Sequence, residues 1–112
     1  MTDKMTYGKT ITELCEAAHT NAEDKGFWDN PLSPGEAIAL MHSELSEALE
    51  AARNPDKQDD HLPHLDPMGV ELADCCIRIF DFCGAYGIDL ERCISEKMAY
   101  NRSRPRKHGK AF

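Results

Sequence analysis

Two pairs of carboxylates at helical spacing are the residues best suited to do chemistry. Glu44 and Glu47 are three residues apart in the segment HSELSEALEAAR, and Glu71 and Asp74 repeat that spacing further along the chain. Side chains three apart share one face of a helix. If the two helices are neighbours, four carboxylates converge, and charges about 4 Å apart repel by roughly 4 kcal/mol at an effective dielectric of 20. Such a cluster requires a cation.

Ligand sets made only of oxygen favour hard cations that retain water and bind substrate phosphates. We therefore expect Glu44, Glu47, Glu71 and Asp74 to hold Mg²⁺, with Mn²⁺ as a substitute. Glu47 lies further from the apolar stripe of its helix than Glu44, so it is the predicted general base. In the alternative interpretation the acids are solvated surface residues, and Arg78 pairs with Asp74 one turn earlier.

A second candidate group is basic. The chain carries a net charge of −7, yet its last 16 residues contain six of the 13 Lys and Arg and no acid. Lys97, Asn101 and Arg104 are four and three residues apart, so they share a face if the last helix extends that far. Lys and Arg would bind the phosphates, and Asn a sugar hydroxyl or phosphate. The alternative is a solubilising basic tail.

The only tryptophan, Trp28, follows Phe27 in a loop rich in Gly, Pro and Asn. Its ring could stack on a nucleobase, or equally well plug one end of the fold. His19, at the border of an apolar stripe, could read a base edge or be a partly buried polar residue. Trp28 and His19 are therefore secondary candidates for substrate binding.

These residues must be positioned by helices. Capping signals and apolar periodicity predict an all-α bundle of four main helices in one domain, residues 1–112. The third helix is apolar except for a strip containing Glu71, Asp74, Arg78 and Asp81, and we expect it to be central and the most buried. The first two helices are predicted at residues 11–25 and 34–53. The third begins at Asp66 and Pro67 and ends at Gly84 and Gly87, and the fourth is capped by Asp89 and runs to about Asn101.

Composition narrows the class of protein. The negative net charge argues against binding nucleic acid through a global positive field. No apolar run approaches the roughly 20 residues that cross a membrane, and the N-terminal segment does not resemble a signal peptide. Five cysteines without a CxxC motif fit reduced thiols. We expect a cytoplasmic protein without disulfides.

The acidic pattern resembles a family. Glu44-Leu-Ser-Glu47 followed by Glu71-Leu-Ala-Asp74 is similar to the E-x-x-E…E-x-x-D signature of the MazG-like all-α nucleoside triphosphate pyrophosphohydrolases. The resemblance also covers KGFWD at 25–29, HSELSEALEAAR at 42–53 and KMAYNRSRPRKHGK at 97–110. It therefore spans most of the chain in the same order.

The resemblance implies hydrolysis between the α- and β-phosphates, which yields a nucleoside monophosphate and pyrophosphate. It implies that the four acids hold Mg²⁺, and Lys97, Asn101 and Arg104 match the family's K-x-x-x-N-x-x-R-P segment. The expected role is the removal of unwanted nucleotides, and adjustment of normal nucleotide pools is the alternative. The resemblance also implies a homodimer or homotetramer, and a short chain with such an apolar third helix has difficulty covering it alone.

Two other functions remain open at this point. A ferritin-like di-iron protein builds its site from carboxylates on facing helices but needs two E-x-x-H motifs, and only Glu16 and His19 supply one. A non-catalytic helical interaction module would use the acids only for solvation. Loss of pyrophosphate release without loss of helix, on replacing Glu71 with Gln, distinguishes the enzyme from such a module.

Overall fold

The computed structural model describes residues 5–109 and contains four α-helices. No strand occurs in that range, which confirms the all-α prediction. None of the described helices is long and apolar enough to span a membrane. The helices are α1 Ile11–Asp24, α2 Pro34–Arg53, α3 Pro67–Tyr86 and α4 Leu90–Ser103, followed by the 3₁₀ turn Arg106–Gly109.

Side-chain caps fix where the helices begin. Thr10 and Glu13 form a reciprocal capping box at the start of α1, as the sequence predicts. Ser33 and Glu36 form a second box at the start of α2, where Pro34 occupies the first helical position. The side chains of Asp66 and Asp89 accept backbone N–H groups at the starts of α3 and α4. Local chemistry thus sets the phase with which each helix presents its side chains.

Helix α3 is central because it packs against both α1 and α2, whereas α4 packs mainly on α1. The prediction that Gly84 ends α3 is wrong, since the helix continues to Tyr86. A Cβ atom at Gly84 would lie 2.7 Å from the Cys15 carbonyl oxygen and 2.8 Å from His19 Cβ. Gly84 is therefore the point of close approach between α1 and α3. Gly87, at φ +66°, ends the helix in the left-handed conformation.

The fully buried side chains of α2 are small. Ala37 and Ala48 are buried, whereas Leu45 and Leu49 are 46% and 54% exposed. The half-buried Leu40 lines a crevice with Arg78 and Phe82 of α3, so one large side chain also takes part in this contact.

Helix α3 is also less buried than predicted. Cys75 and Cys83 are buried, but Leu72 and Ile77 are 44% and 51% exposed. The physical reason is that α1 and α2 cover only part of its nearly all-round apolar circumference. Within the described range all five cysteines are free thiols.

Candidate metal centre and adjacent aromatic cluster

Three of the four predicted metal ligands converge. Three carboxylate oxygens lie within 4.8 Å of one another, one each from Glu44 on α2 and from Glu71 and Asp74 on α3. Glu44 and Glu71 are half-buried, and the Glu44 side chain is only 15% exposed. Glu71 and Asp74, three residues apart on α3, thus form with Glu44 a cluster of carboxylates that spans two helices.

The electrostatics of this cluster are unfavourable without a cation. The pKa of Glu71 is raised above its usual value, first by burial and then by the negative charges of Asp74, Glu44, Glu47 and Asp59. A divalent cation would relieve this repulsion. The donor set consists of carboxylate oxygens, which matches the preference of Mg²⁺ and Mn²⁺. The residues present therefore fit the predicted ion.

Glu47 lies outside the converging group but next to it. Together with Glu71 it lines a cavity of about 260 Å³ between α2 and the loop that leads to α3. Lys57 and Asp59 of that loop also line the cavity. Asp59 accepts the backbone N–H groups of His61 and Leu62, which lower its pKa. The predicted limits of α2 and α3 leave a connection at these residues, but periodicity does not indicate that it lines the acidic region.

Arg78 joins the acidic cluster to its surroundings. Its Nε lies 3.5 Å from Glu44 Oε1 on α2, so the guanidinium pairs across helices. Arg78 also lines a crevice with Trp28 and Asp81, one turn further along α3. The carboxylates and the aromatic loop are therefore neighbours along one face of α3.

Asp81 is not among the predicted site residues, yet its carboxylate contacts both Trp28 and His19. Its Oδ1 accepts a hydrogen bond from Trp28 Nε1 at 2.8 Å and lies 2.9 Å from His19 Nδ1. The Trp28 ring makes edge contacts with His19 and Tyr86, at centroid distances of 5.4 and 6.3 Å. Its position on the polar strip of α3 was the only signal that could have marked Asp81.

Basic residues of α4 form a separate group. Lys97 Nζ and Arg104 Cζ lie 4.9 and 5.5 Å from the centroid of the Tyr100 ring, within cation–π range. Asn101 is half-buried near the end of α4, and Arg104 caps that helix. Because α4 packs mainly on α1, this basic face lies on a different helix pair from the acids. Lys110, the last residue of the basic segment, is outside the described range.

Comparisons of the chain with protein-family models, with curated proteins and with solved structures found no match. The functional interpretation therefore depends on the residues and their geometry. Three features carry it: the carboxylate cluster between α2 and α3, the cavity beside it, and the aromatic group next to Arg78.

Proposed function

We propose that the protein is a Mg²⁺-dependent nucleoside triphosphate pyrophosphohydrolase of the MazG-like type. It would convert a ribo- or deoxyribonucleoside triphosphate to the monophosphate and pyrophosphate, in cytoplasmic removal of unwanted nucleotides. The main support is the approach of three carboxylates from two helices to within 4.8 Å. A cluster of that kind in front of a cavity suits a metal that also binds phosphate oxygens.

Glu44, Glu71 and Asp74 are the proposed ligands of Mg²⁺, or of Mn²⁺ in its place. The ion, when bound, supplies charge neutralisation for phosphate oxygens and lowers the pKa of bound water. Glu47 lines the cavity beside Glu71 and is the proposed general base, or a fourth ligand. As a base its carboxylate takes a proton from the attacking water.

The aromatic group supplies the proposed base-binding end. Asp74 and Asp81 are seven residues apart on α3, which corresponds to about 10 Å along a helix axis. One nucleotide can reach across that distance, with its phosphates at the carboxylates and its base near Trp28 and His19. Arg78, between the two ends, is paired with Glu44 and half-exposed, and it can contact the phosphates.

We further propose that the protein is a homodimer or homotetramer. Many of the exposed apolar side chains lie on α2, α3 and α4, and a second copy would cover them. Lys97, Asn101 and Arg104 are on α4, which packs mainly on α1, whereas the carboxylate cluster lies between α2 and α3, so we propose that they reach the triphosphate of a neighbouring subunit. The exposed apolar side chains on these helices include Ile38, Leu45, Leu49, Leu72, Ile77, Ile94 and Met98. A strict monomer in light scattering would contradict this assembly.

The activity is tested by incubating the protein with a panel of ordinary and modified nucleoside triphosphates, with Mg²⁺ or Mn²⁺, and following products by ³¹P NMR. We expect monophosphate and pyrophosphate in equal amounts, only when the metal is present. Formation of diphosphate and inorganic phosphate, or no turnover of any member of the panel, would refute the proposal. Purified protein carrying iron with an oxo-bridge absorption band would point to the di-iron alternative.

A further inference from the structure

The Asp81 carboxylate joins three separate segments of the chain: α1 through His19, the loop after α1 through Trp28, and α3 itself. We propose that Asp81 is a positioning residue, which holds Trp28 and His19 together as one wall for the nucleobase. This inference rests on the proposed function. It assigns Asp81 no contact with the reacting phosphates.

The donor and acceptor chemistry defines what Asp81 holds. An indole N–H can only donate, and an ionised carboxylate can only accept. The 2.8 Å bond from Trp28 Nε1 to Asp81 Oδ1 therefore anchors the edge of the indole ring. His19 Nδ1 lies 2.9 Å from the same oxygen and can bond to it only if this nitrogen carries a hydrogen. The other ring nitrogen, Nε2, then faces Glu23, whose Oε2 is 3.5 Å away. One oxygen thus orients both rings.

The hydrogen bonds of Asp81 are shielded from water, yet the residues that form them remain partly accessible to a ligand. The His19 and Asp81 side chains are 20% and 19% exposed, so water competes little for their charged hydrogen bond. Trp28 is also half-buried, and its edge contacts with His19 and Tyr86 support the same orientation. A ring held before the ligand arrives loses little conformational entropy when a base binds.

The link to the acidic cluster determines which kinetic parameter should change. The crevice lined by Trp28, Arg78 and Asp81 has a volume of about 20 Å³, roughly that needed for one water, so a base must lie at its mouth. Arg78 lines this crevice and also pairs with Glu44 of the acidic cluster. Because Asp81 acts on the base-binding end, its loss should weaken nucleotide binding while leaving the chemistry at the carboxylates intact.

The test compares Asp81→Ala and Asp81→Asn with Asp56→Asn, the same chemical change at an exposed loop position. We expect Asp81→Ala to raise KM for a nucleoside triphosphate by about tenfold and to change kcat by less than about twofold, as for loss of uniform binding. Asp81→Asn, which keeps an acceptor oxygen, should restore part of the affinity. Asp56→Asn should match the wild type.

Because Trp28 is the only tryptophan, its fluorescence reports directly on the same wall. Quenching by iodide should increase in Asp81→Ala and stay at the wild-type level in Asp56→Asn. Wild-type KM in both Asp81 variants, or an equal loss of kcat and kcat/KM, would overturn the inference. If Asp81→Ala does not fold, KM of Asp81→Asn decides. An inactive wild type would overturn the proposed function as well, whereas an active wild type with unaffected Asp81 variants removes only this inference.

Discussion

Carboxylates lie at both ends of one face of α3, but their charges are balanced by different partners at the two ends. Toward the start of the helix, Glu71 and Asp74 face Glu44, which pairs with Arg78. Toward its end, Asp81 faces two donors supplied by the same chain. The second arrangement is complete by itself. The first is stable only to the extent that protons, Arg78 or an added cation balance its charge.

The two ends of this face should therefore respond to different changes. A region completed by its own hydrogen bonds contributes to stability, and altering it should affect folding or ligand affinity. A region of mutually repelling charges lowers stability, and residues kept in that state commonly serve function.

Replacing Glu71 with Gln should lower kcat for Mg²⁺-dependent pyrophosphate release by about a thousandfold, because a metal ion supplies several kcal/mol of transition-state stabilisation. Helical circular dichroism should be unchanged. The matched control is Glu16→Gln on the exposed surface of α1, which should retain full activity. Wild-type turnover in Glu71→Gln would remove the acidic end from the mechanism.

Replacing Gly84 with Ala should destabilise the protein by about 1 to 3 kcal/mol, the usual cost of overpacking. The new Cβ would meet the backbone of Cys15 and the Cβ of His19 on α1. Thermal unfolding measures the effect, with Gly35→Ala as control. Gly35 is helical and has no atom within 4 Å of an added Cβ, so that change should be neutral or stabilising. Equal melting temperatures for both variants would contradict the close contact of α1 with α3.

Mg²⁺ should stabilise the acidic end in a pH-dependent way. The folded-state pKa of Glu71 is raised from 4.5, so the native protein keeps this proton to higher pH than the unfolded chain. Without metal, the contribution of Glu71 to the free energy of unfolding therefore falls as pH rises from about 4.5 through the raised pKa. Added Mg²⁺ at ten times its Kd should recover about 1.4 kcal/mol at neutral pH.

Thermal melts at pH 5 and pH 7.5, with and without Mg²⁺, check this linkage. Glu71→Gln should flatten the pH dependence of the metal-free protein and reduce the shift caused by Mg²⁺. A Mg²⁺ shift of the same size in wild type and Glu71→Gln would place the ion elsewhere.

The smallest effect is expected at the aromatic end. Tyr86→Phe removes the hydroxyl that donates to the Leu32 carbonyl and leaves the ring stacked on Phe82. Unfolding free energy should fall by about 0.5 to 1.5 kcal/mol, the net contribution of one hydrogen bond. The Mg²⁺-induced change in melting temperature should be the same as in the wild type. A loss of that Mg²⁺ response would show that the two ends are not separable.

Local features of the fold were readable from sequence because local chemistry determines them. The capping boxes at Thr10 and Ser33 predicted helix starts to the residue, and the spacing of Glu71 and Asp74 predicted a shared face. Features that depend on a neighbouring helix were not readable. A glycine near the end of a helix usually indicates where the helix stops. Gly84 instead lies inside α3, where the close approach of α1 leaves no room for a side chain.

The same limit applies to the site. Periodicity marked an apolar stripe on α2 but could not tell that small residues, not Leu45 and Leu49, would be the buried ones. Asp81 looked like one more acid on a polar strip, because its partners come from segments more than 50 residues away. The convergence of Glu44 with Glu71 was predictable only on the assumption that α2 and α3 are neighbours.

Binding of Mn²⁺, followed by the loss of the free-ion signal in electron paramagnetic resonance, tests the proposed metal centre between α2 and α3 and requires no substrate. The wild-type protein should bind Mn²⁺, Mg²⁺ should displace it, and Glu71→Gln should bind it at least about tenfold more weakly, as expected when a residue that supports a metal site is lost. Glu16→Gln should bind like the wild type. Equal Mn²⁺ affinity in wild type and Glu71→Gln, or no binding by either, would contradict a metal centre between α2 and α3.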